Sequence, residues 1–316
     1  MKYHFSKFLV TGGAGFIGSH LVERLLAGGH HVVVLDNLST GKLQNLECCL
    51  NNPNFHFIKG DIRDKKTADG AVAGVDAVIH EAAITSVHLS IKNPKLVFNV
   101  NAAATMNLLK SCVKNDVKRF VFASSAAVYG AAEVPISEDA PTKPLSPYGE
   151  SKLRSEKYCQ KFWDEYGLET VCLRYFNVYG PKQTAGQYAG VISRFFDRLR
   201  DKLPPIIYGD GEQTRDFVYV GDVVEATVLA LGCEKAAGEI LNVGTGKATS
   251  VNQLSRIFTK LMHCSSVKPK YVARREGEIR HSQADITKAK KILGYRPRVS
   301  LGQGLKRFVE WKSGAK

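Results

Sequence analysis

Four side chains in the middle of the sequence could together move a proton. Tyr148 and Lys152 stand four residues apart, so a helix would place them on one face. A lysine ammonium there lowers the pKa of the phenol, which allows proton exchange with a substrate hydroxyl near neutral pH. This spacing is also common on protein surfaces. The catalytic interpretation is favoured because Ser124 and Ser125 follow the strand-like run 119–123, at the end of the strand where open α/β sheets bind ligands.

A glycine-rich segment near the N-terminus predicts a dinucleotide-binding turn. Gly12, Gly15 and Gly18 follow an apolar strand and precede a helical pattern, so backbone amides could approach a pyrophosphate at a helix N-terminus. Asp36 ends the next strand, about twenty residues further on, where a carboxylate can hydrogen-bond a ribose diol. Such a carboxylate would repel a 2′-phosphate, which favours NAD over NADP. The alternative is an ordinary tight turn between a strand and a helix.

The elements around these residues alternate between strands and helices, which predicts a parallel sheet covered on both faces. Strands are expected at 55–58, 76–80, 119–123 and 170–174, and helices from 95 to about 115 and from 147 to about 166. The predicted fold is α/β, a doubly wound Rossmann sheet with a smaller mixed lobe. Residues 1–177 would form the NAD-binding domain, rejoined by about 215–245. Residues 178–316 would mainly form a substrate-binding lobe.

Length and composition exclude several classes of protein. A chain of 316 residues can bury a large core. It has no run of about eighteen apolar residues, so no transmembrane helix and no membrane partner are expected. The first residues run into a strand without a cleavable signal pattern, which predicts a cytoplasmic protein. The seven cysteines include no C-x-x-C pair, so neither a disulfide scaffold nor a metal site is expected.

The net charge of +14 invites a nucleic-acid interpretation, because basic surfaces attract polyanions. The lysines and arginines are nevertheless scattered, and no basic run is interleaved with aromatic residues. We therefore expect a solvated surface, with a few cations reserved for the phosphate groups of a small ligand, and no nucleic-acid partner.

These residues, together with motifs further along the chain, carry a family resemblance. The additional motifs lie at 60–61, 173–177, 215–218 and 274–278. Over essentially its whole length the sequence resembles the extended short-chain dehydrogenase/reductases. Within that family it is similar to the NAD-dependent nucleotide-sugar 4-epimerases of the UDP-galactose epimerase type.

The resemblance implies a role for each matching residue. Tyr148 would be the acid/base, Lys152 its tuner and a ligand of the cofactor ribose, and Ser125, beside Ser124, the hydroxyl that steadies O4 of the sugar. The NAD-binding residues would be Gly12, Gly15, Phe16, Ile17, Gly18, Asp36, Asn37, Ser39, Thr40, Gly41, Asp61, Ile62, His80, Ala82, Ala83, Asn99, Tyr148, Lys152 and Phe176. The substrate-binding residues would be Ser86, Ser125, Tyr148, Asn177, Val191, Arg215, Arg275, Glu278 and Ser282. Glu81 departs from the apolar residue that is usual at its position.

The reaction implied is epimerisation of a UDP-sugar at C4. Related dehydratases place an acidic pair directly after the catalytic serine or threonine, and decarboxylating relatives tend to place a glutamate there. This chain has Ala126 and Ala127, which cannot transfer protons. The chemistry left is oxidation at C4, rotation of the keto sugar, and return of the hydride to its other face.

The resemblance also indicates the sugar and the assembly. Ser282 stands where a bulky aromatic residue would exclude an N-acetyl group, so we expect UDP-glucose and UDP-galactose and also UDP-N-acetylglucosamine and UDP-N-acetylgalactosamine as substrates. A small side chain removes a clash without adding an attraction. A homodimer through the helices near 95–115 and 147–166 is implied as well.

Three alternatives remain open at this stage. A UDP-glucuronate 4-epimerase would need a cation for the sugar carboxylate, for which Arg280 or His88 could serve. A reductase of the same fold would need NADPH, which Asp36 disfavours. A non-catalytic member that binds RNA or a protein assembly fits the basic charge but not an intact serine, tyrosine and lysine set.

Overall fold

The computed structural model describes residues 5–183, 190–274 and 279–314. These residues form thirteen strands and eleven helices. The strands are β1 Lys7–Thr11, β2 His31–Asp36, β3 Phe55–Lys59, β4 Ala77–His80, β5 Arg119–Ser125, β6 Glu169–Tyr175, β7 Asn177–Tyr179, β8 Ile206–Tyr208, β9 Thr214–Arg215, β10 Phe217–Tyr219, β11 Ile240–Val243, β12 Thr249–Ser250 and β13 Lys270–Val272. The helices are α1 Phe16–Ala27, α2 Lys65–Val72, α3 Val87–Lys92, α4 Pro94–Phe98, α5 Ala104–Lys114, α6 Pro147–Tyr166, α7 Val191–Arg200, α8 Val220–Gly232, α9 Val251–Leu261, α10 Thr287–Leu293 and α11 Leu301–Lys312.

Seven parallel strands make the main sheet, in the order β11-β6-β5-β4-β1-β2-β3. The chain adds β2 and β3 on one side of β1 and then returns to place β4 on the other side. The strand order therefore reverses between β1 and β4, and ligands of open parallel sheets bind outside the carboxyl ends of the strands at such a reversal. The predicted doubly wound sheet is confirmed.

The two faces of the sheet carry two separate apolar cores. Along β1, Phe8 and Val10 pack on the side of α1 and α8, whereas Leu9 packs on the side of α2, α5 and α6. This division follows from the pleat, because successive side chains of a strand point to opposite faces. A parallel sheet covered on both faces needs apolar residues at consecutive positions, which explains the unbroken apolar run 32–35.

The smaller lobe combines short strand pairs with three helices. Strands β7–β10 and β8–β13 pair in parallel, and β9–β12 pair antiparallel. Helix α7 packs on α9 and α11 through edge-to-face contacts, with ring centroids 6.4 Å apart for Phe195 and Phe258 and 5.8 Å apart for Phe196 and Phe308. These rings belong to the same apolar cluster as the α1 side of the sheet, so the lobe is packed onto it. The expected mixed lobe is confirmed.

Two elements beyond residue 177 belong to the main sheet rather than to the lobe. Strand β11 pairs with β6, and α8 packs against β5 and β6. The assignment of 1–177 and 178–316 to two domains stays a prediction. None of the helices in the described ranges is long and apolar enough to cross a membrane.

Helix α6 begins and ends where local chemistry indicates. Ser146 accepts a hydrogen bond from the Gly149 amide, and Pro147 occupies the first turn, where an amide hydrogen would have no helical partner. Gly167, with φ of +66°, ends the helix in the left-handed conformation. The helix expected from 95 to about 115 is instead interrupted by a π turn at Asn99–Ala103 between α4 and α5.

A buried ion pair fixes α6 on the sheet. Arg174 of β6 donates from Nε and Nη2 to the two carboxylate oxygens of Glu156 on α6, at 2.9 and 2.7 Å. Both side chains are buried, with exposed fractions of 4% and 2%. The Arg174 guanidinium also lies 4.6 Å from the centroid of the Tyr129 ring. The pair therefore ties the helix to β6 without contact with solvent.

We expect Arg174→Met to lower the free energy of unfolding by about 3 kcal/mol, because it leaves the Glu156 carboxylate buried without its countercharge. Urea denaturation followed by circular dichroism measures the change. The matched control is Arg24→Met, whose pair with Glu225 is about half exposed and spans 3.8 Å. That control should change stability by less than about 1 kcal/mol. Equal effects of the two substitutions on stability would contradict the stabilising role of the buried Arg174–Glu156 pair.

Candidate active site

A cavity of about 310 Å³ opens at the carboxyl ends of β5 and β6, between the sheet and the smaller lobe. Side chains from the α1 turn, the ends of these strands, α6 and the start of α7 meet in its wall. The predicted site residues that line it are Phe16, Ile17, Ser124, Ser125, Tyr148, Lys152, Phe176, Asn177 and Val191. The structure therefore brings together residues that lie up to 175 positions apart in the sequence, from Phe16 to Val191.

The side chains of Tyr148 and Lys152 lie in different surroundings. Tyr148 is only 9% exposed, and burial raises its pKa, aided by the negative charge of Glu81, while a hydrogen bond with Ser125 acts in the opposite direction. Lys152 donates from Nζ to the Ala123 carbonyl at 2.6 Å rather than to the phenol. Burial lowers the pKa of Lys152 to about 8. Burial, Glu81 and Ser125 are the causes that shift the pKa of Tyr148 here, so the expected lowering of this pKa by Lys152 stays a prediction.

The two serines at the end of β5 point to different partners. The Ser125 hydroxyl accepts from the Ala127 amide at 3.2 Å and hydrogen-bonds Tyr148. The Ser124 hydroxyl donates to Glu156 at 2.5 Å instead. Consecutive strand residues face opposite ways, so only one of the two hydroxyls can face the phenol. Ser124 also lines the cavity, but its hydroxyl is held by Glu156, which favours a positioning role; the catalytic roles of Ser124 and Ser125 stay predictions.

The glycine turn has the shape that a dinucleotide requires. Gly12 has φ of +68°, and a Cβ there would lie 2.7 Å from the Ala82 amide nitrogen. A Cβ on Gly18 would lie 2.3 Å from the Gly12 carbonyl oxygen. Gly15 caps α1 without a side chain, and the first turn of α1 carries no acidic residue. The helix N-terminus thus offers free amide donors to an anion, and the residues fit the pyrophosphate of NAD.

Asp36 stands at the end of β2, beside this turn. Its carboxylate accepts hydrogen bonds from the Ala14 amide at 3.0 Å and the Leu38 amide at 2.8 Å. Burial raises its pKa, and these two bonds oppose the shift. Gly41 packs against it, since a Cβ there would lie 2.9 Å from Oδ2. Each carboxylate oxygen has two lone pairs, so Asp36 retains acceptor capacity for a ribose hydroxyl.

The rim beyond Asp36 is polar. Asn37 donates to Asp61 at 2.9 Å and accepts from the Ser39 amide at 3.0 Å. Hydrogen bonds from Arg63 hold the pKa of Asp61 well below its usual range. Thr40 is exposed in the same loop, and Ile62 is buried directly after Asp61. This rim is where the resemblance places adenosine.

His80 does not reach the cofactor cleft with its side chain. Its Nδ1 lies 2.6 Å from the Thr11 hydroxyl, and its Nε2 lies 2.8 Å from the Thr105 hydroxyl. Thr105 donates its own hydrogen to the Asn101 carbonyl, so Nε2 carries the imidazole hydrogen. Burial lowers the pKa of His80 to about 3, which keeps the ring neutral. The predicted cofactor contact of this imidazole is corrected to a packing role, while Ala82 and Ala83 stand just beyond it, with Ala82 against Gly12.

Two predicted residues near α3 and α4 lie beside the cavity rather than in its wall. Ser86 caps α3, its hydroxyl oxygen accepting from the Leu89 amide at 3.0 Å, and its neighbour Thr85 lines the cavity instead. Asn99 is exposed in the π turn. Helix capping thus uses the oxygen that was expected to meet the substrate.

The predicted nucleotide ligands of the smaller lobe are not all described. Arg215 donates to the Thr214 carbonyl at 2.8 Å, and the Ser282 amide donates to the same carbonyl at 3.2 Å. Both lie outside the wall of the cavity as described. Arg275 and Glu278 lie outside the described residues.

Sequence reasoning missed two residues that position the site. Glu156 stands four residues after Lys152, where a charged side chain on a buried helical stripe was a usable signal. Asn101 accepts from the Ile84 amide at 2.8 Å and donates to Ser151 at 3.0 Å, so it ties the segment after β4 to α6. No pattern in the sequence distinguishes Asn101 from the exposed Asn99.

One group of potential metal ligands appears among the described residues. Glu23, Cys48 and Cys49 bring their ligand atoms within 4.8 Å of one another. Lys182 donates to the Glu23 carboxylate at 2.5 Å, so a protein cation already neutralises it.

Comparisons with known proteins agree with this geometry. Residues 8–244 match the model of the NAD dependent epimerase/dehydratase family. A putative UDP-glucose 4-epimerase of Methanocaldococcus jannaschii is 45% identical over 308 residues, which covers 96% of this chain and 97% of the relative. The UDP-glucose 4-epimerase of Thermotoga maritima, solved with UDP-glucose, gives a TM-score of 0.91 at 40% identity, covering 98% of this chain and 99% of that one. The UDP-N-acetylglucosamine 4-epimerase of Methanobrevibacter ruminantium, solved with UDP-N-acetylmuramic acid, gives a TM-score of 0.94 at 36% identity. This match covers 99% of this chain and 100% of that one.

We expect Gly12→Ala to weaken NAD binding by about tenfold or more. A side chain in the left-handed conformation costs about 1–2 kcal/mol, and the turn must also move away from Ala82 to make room. Calorimetric titration of nucleotide-free protein with NAD measures the affinity. Gly70→Ala is the matched control, because a Cβ at Gly70 meets nothing within 4 Å. NAD affinity equal to wild type in both variants would contradict the assignment of this turn.

Proposed function

Because the chain belongs to the NAD-dependent epimerase/dehydratase family, we propose that it interconverts UDP-glucose and UDP-galactose, and also their N-acetylated counterparts, by inverting C4. Its relatives include NAD-dependent UDP-sugar 4-epimerases, and the chain is an isomerase of that type with NAD as its cofactor. The observation that carries the proposal is the meeting of Tyr148, Ser125 and Lys152 in one cavity beside the glycine turn.

In the proposed reaction the protein moves one proton out and back. Tyr148, as phenolate, takes the proton from O4 while the C4 hydrogen departs with its electron pair, and a keto sugar results. NAD, when bound, supplies the acceptor and later donor of that hydride, and its oxidised form adds positive charge that favours the phenolate. After the keto sugar has rotated, hydride returns to the other face of C4, and Tyr148 gives the proton back to O4. Ser125 hydrogen-bonds the phenol and is placed to steady O4.

The chain's own groups account for holding both ligands. Gly12, Gly15 and Gly18 would hold the cofactor pyrophosphate, with Asp36 on its ribose. A second helix N-terminus, that of α7, faces the same cavity through Gly190, Val191 and Ile192. Gly190 caps α7 without a side chain, and its first turn carries no acidic residue. This end of α7 suits the UDP diphosphate.

The neighbours of Ser125 favour epimerisation over elimination. Ala126 and Ala127 begin a short turn directly after it, and the Ser125 hydroxyl caps this turn by accepting from the Ala127 amide. Neither side chain can take a proton from C5 or donate one to a leaving hydroxyl at C6. After oxidation, re-reduction is the step that the groups around Ser125 can support.

Substrate range rests on the small residue Ser282 and on the N-acetylglucosamine 4-epimerase among the similar structures. Ser282 is 8% exposed, its backbone bonds to Thr214, and it lies outside the wall of the described cavity, so its place beside the 2-substituent of the sugar is what the resemblance implies. The uronate alternative is less well supported, because Arg280 donates to both oxygens of Asp210 at 2.7 Å. The cation that a sugar carboxylate would need there is already paired.

We also propose a homodimer, formed through α4, α5 and α6. Next to these helices, α3 leaves two apolar side chains exposed, Val87 at 46% and Ile91 at 63%. On the neighbouring surface the Arg154 guanidinium lies 5.2 Å from the Phe98 ring centroid and links α6 to α4. A second copy would cover this apolar surface. The cytoplasmic location stays a prediction.

Replacing Tyr148 with phenylalanine should reduce kcat for conversion of UDP-galactose by about 10²–10⁴-fold, because the proton acceptor is lost. Coupled detection of UDP-glucose measures the rate, and circular dichroism should show an unchanged fold. Tyr158→Phe, on the same helix, is the control and should keep wild-type rates. A Tyr148→Phe enzyme that inverts sugars at full rate would rule out the proposed mechanism.

Ser282→Tyr should lower kcat/KM for UDP-N-acetylgalactosamine by about 10-fold to 200-fold relative to UDP-galactose, the range that pocket size alone supplies. The ratio of the two specificity constants is the measured quantity, since a general loss of folding changes both alike. Ser282→Ala, which keeps the space open, should leave the ratio unchanged. An unaltered ratio in the tyrosine variant would refute the role of Ser282.

A further inference from the structure

One acidic side chain in the cavity wall has no part in the reaction just described. Glu81 directly follows β4, and it lines the same cavity as Tyr148, Lys152 and Phe176. An apolar residue is usual at this position in the family that the chain resembles. The carboxyl therefore introduces a charge that binding of the cofactor does not require.

Hydrogen bonds hold this carboxyl in place from beneath. The Tyr175 hydroxyl on β6 donates to Glu81 Oε1 at 2.9 Å and lies 2.9 Å from the Thr227 hydroxyl on α8. The Thr227 hydroxyl also lies 2.9 Å from the Val223 carbonyl oxygen. Each hydroxyl has one hydrogen, so with the Tyr175 hydrogen on Glu81 the Thr227 hydroxyl can donate either to Tyr175 or to Val223, and Glu81 is held directly by β6.

The ionisable groups that face Glu81 are Lys152 and Tyr148 of α6 and Tyr175 of β6, while α8 contributes only the neutral Thr227. Burial raises the pKa of Glu81 to about 7, and Tyr175 and Lys152 oppose the shift. Burial lowers the pKa of Lys152, and the charge of Glu81 is the largest effect that raises it again. The same charge raises the pKa of Tyr148. A carboxylate at this place thus favours the protonated form of both catalytic groups.

Resting on the proposed roles of Tyr148 and Lys152, we propose that Glu81 is a positioning residue, a fixed countercharge on the cavity wall that keeps Lys152 protonated and restrains ionisation of Tyr148. It touches neither O4 nor C4 in this role. Glu81 acts through Tyr148 and Lys152, because the protonation of these two residues then depends on the charge of the Glu81 carboxyl. Between the titration of Glu81 and that of Lys152, both groups are charged and the two charges offset each other.

The first test is the pH dependence of kcat/KM in Glu81→Gln. Glutamine keeps the size of the side chain and an acceptor for Tyr175 but removes the negative charge. Loss of that charge favours deprotonation of both catalytic groups, so both limbs of the profile should move to lower pH, by about one unit. Glu150→Gln is the control. The Glu150 carboxylate lies on α6, as Tyr148 and Lys152 do, but it is 55% exposed and screened by solvent.

The second test needs no turnover and therefore separates this inference from the proposed function. Infrared titration of nucleotide-free wild-type protein should show a carboxyl still protonated near pH 6, where ordinary glutamates, with a pKa of about 4.3, are ionised. The protonated-carboxyl signal should be smaller by one group in Glu81→Gln and unchanged in Glu150→Gln, since other buried carboxyls such as Asp36 also have a raised pKa. Tyr175→Phe removes a hydrogen bond that favours the carboxylate, so the signal should persist to higher pH.

Three results would overturn the inference. They are a pH profile of Glu81→Gln that coincides with wild type, an equal shift in Glu150→Gln, and a wild-type infrared titration without a carboxyl of raised pKa. If Glu81→Gln fails to fold, the infrared titrations of wild type and Tyr175→Phe decide alone.

Discussion

The docking of α6 against the end of β5 is the constraint on which the site depends. Lys152 donates to the Ala123 carbonyl, and Tyr148, one turn earlier, meets Ser125, two residues further along the strand. Four helical residues rise about 6 Å and two strand residues about 6.6 Å, so the two periods match and the pairs stay in step. Glu156, one turn further along α6, does not follow this step and instead bonds Ser124 and Arg174. A shift of one residue would separate the phenol from its serine.

Burial of the site also disfavours the charged forms of Tyr148 and Lys152. A phenol enclosed by protein resists ionisation, and here Glu81 adds to the resistance while Ser125 opposes it. The ammonium of Lys152 is directed to a carbonyl and itself resists charge. The protein alone therefore leaves the phenol protonated at neutral pH. In the proposed function, the missing positive charge arrives with the oxidised cofactor, so the base becomes active only when the hydride acceptor is present.

Local chemistry was enough to predict much of the fold and part of the site. Ser146, Pro147 and Gly167 delimit α6, and the glycine turn follows from backbone sterics at Gly12. Side-chain direction was harder to predict. The sequence places Ser124 and Ser125 together, and only the pleat and the position of Glu156 decide which hydroxyl faces the phenol. His80 shows the same limit, because its threonine partners come from β1 and α5, whose distance in the fold no local pattern reveals.

The proposed function requires a tightly bound nucleotide and a sugar that can rotate, and different groups in the cavity wall suit these two requirements. Amides at the N-termini of α1 and α7 suit the two diphosphates, and these donors are fixed by helices packed in the main core. In the cavity wall, Val178 and Val191 contribute apolar surface that the proposed function places beside the sugar. Such surface offers the hydroxyls of a keto sugar no directional bonds to break when it turns. In the proposed function, Tyr148 and Ser125 meet O4, and a sugar anchored by its nucleotide can present either face of C4 to the cofactor.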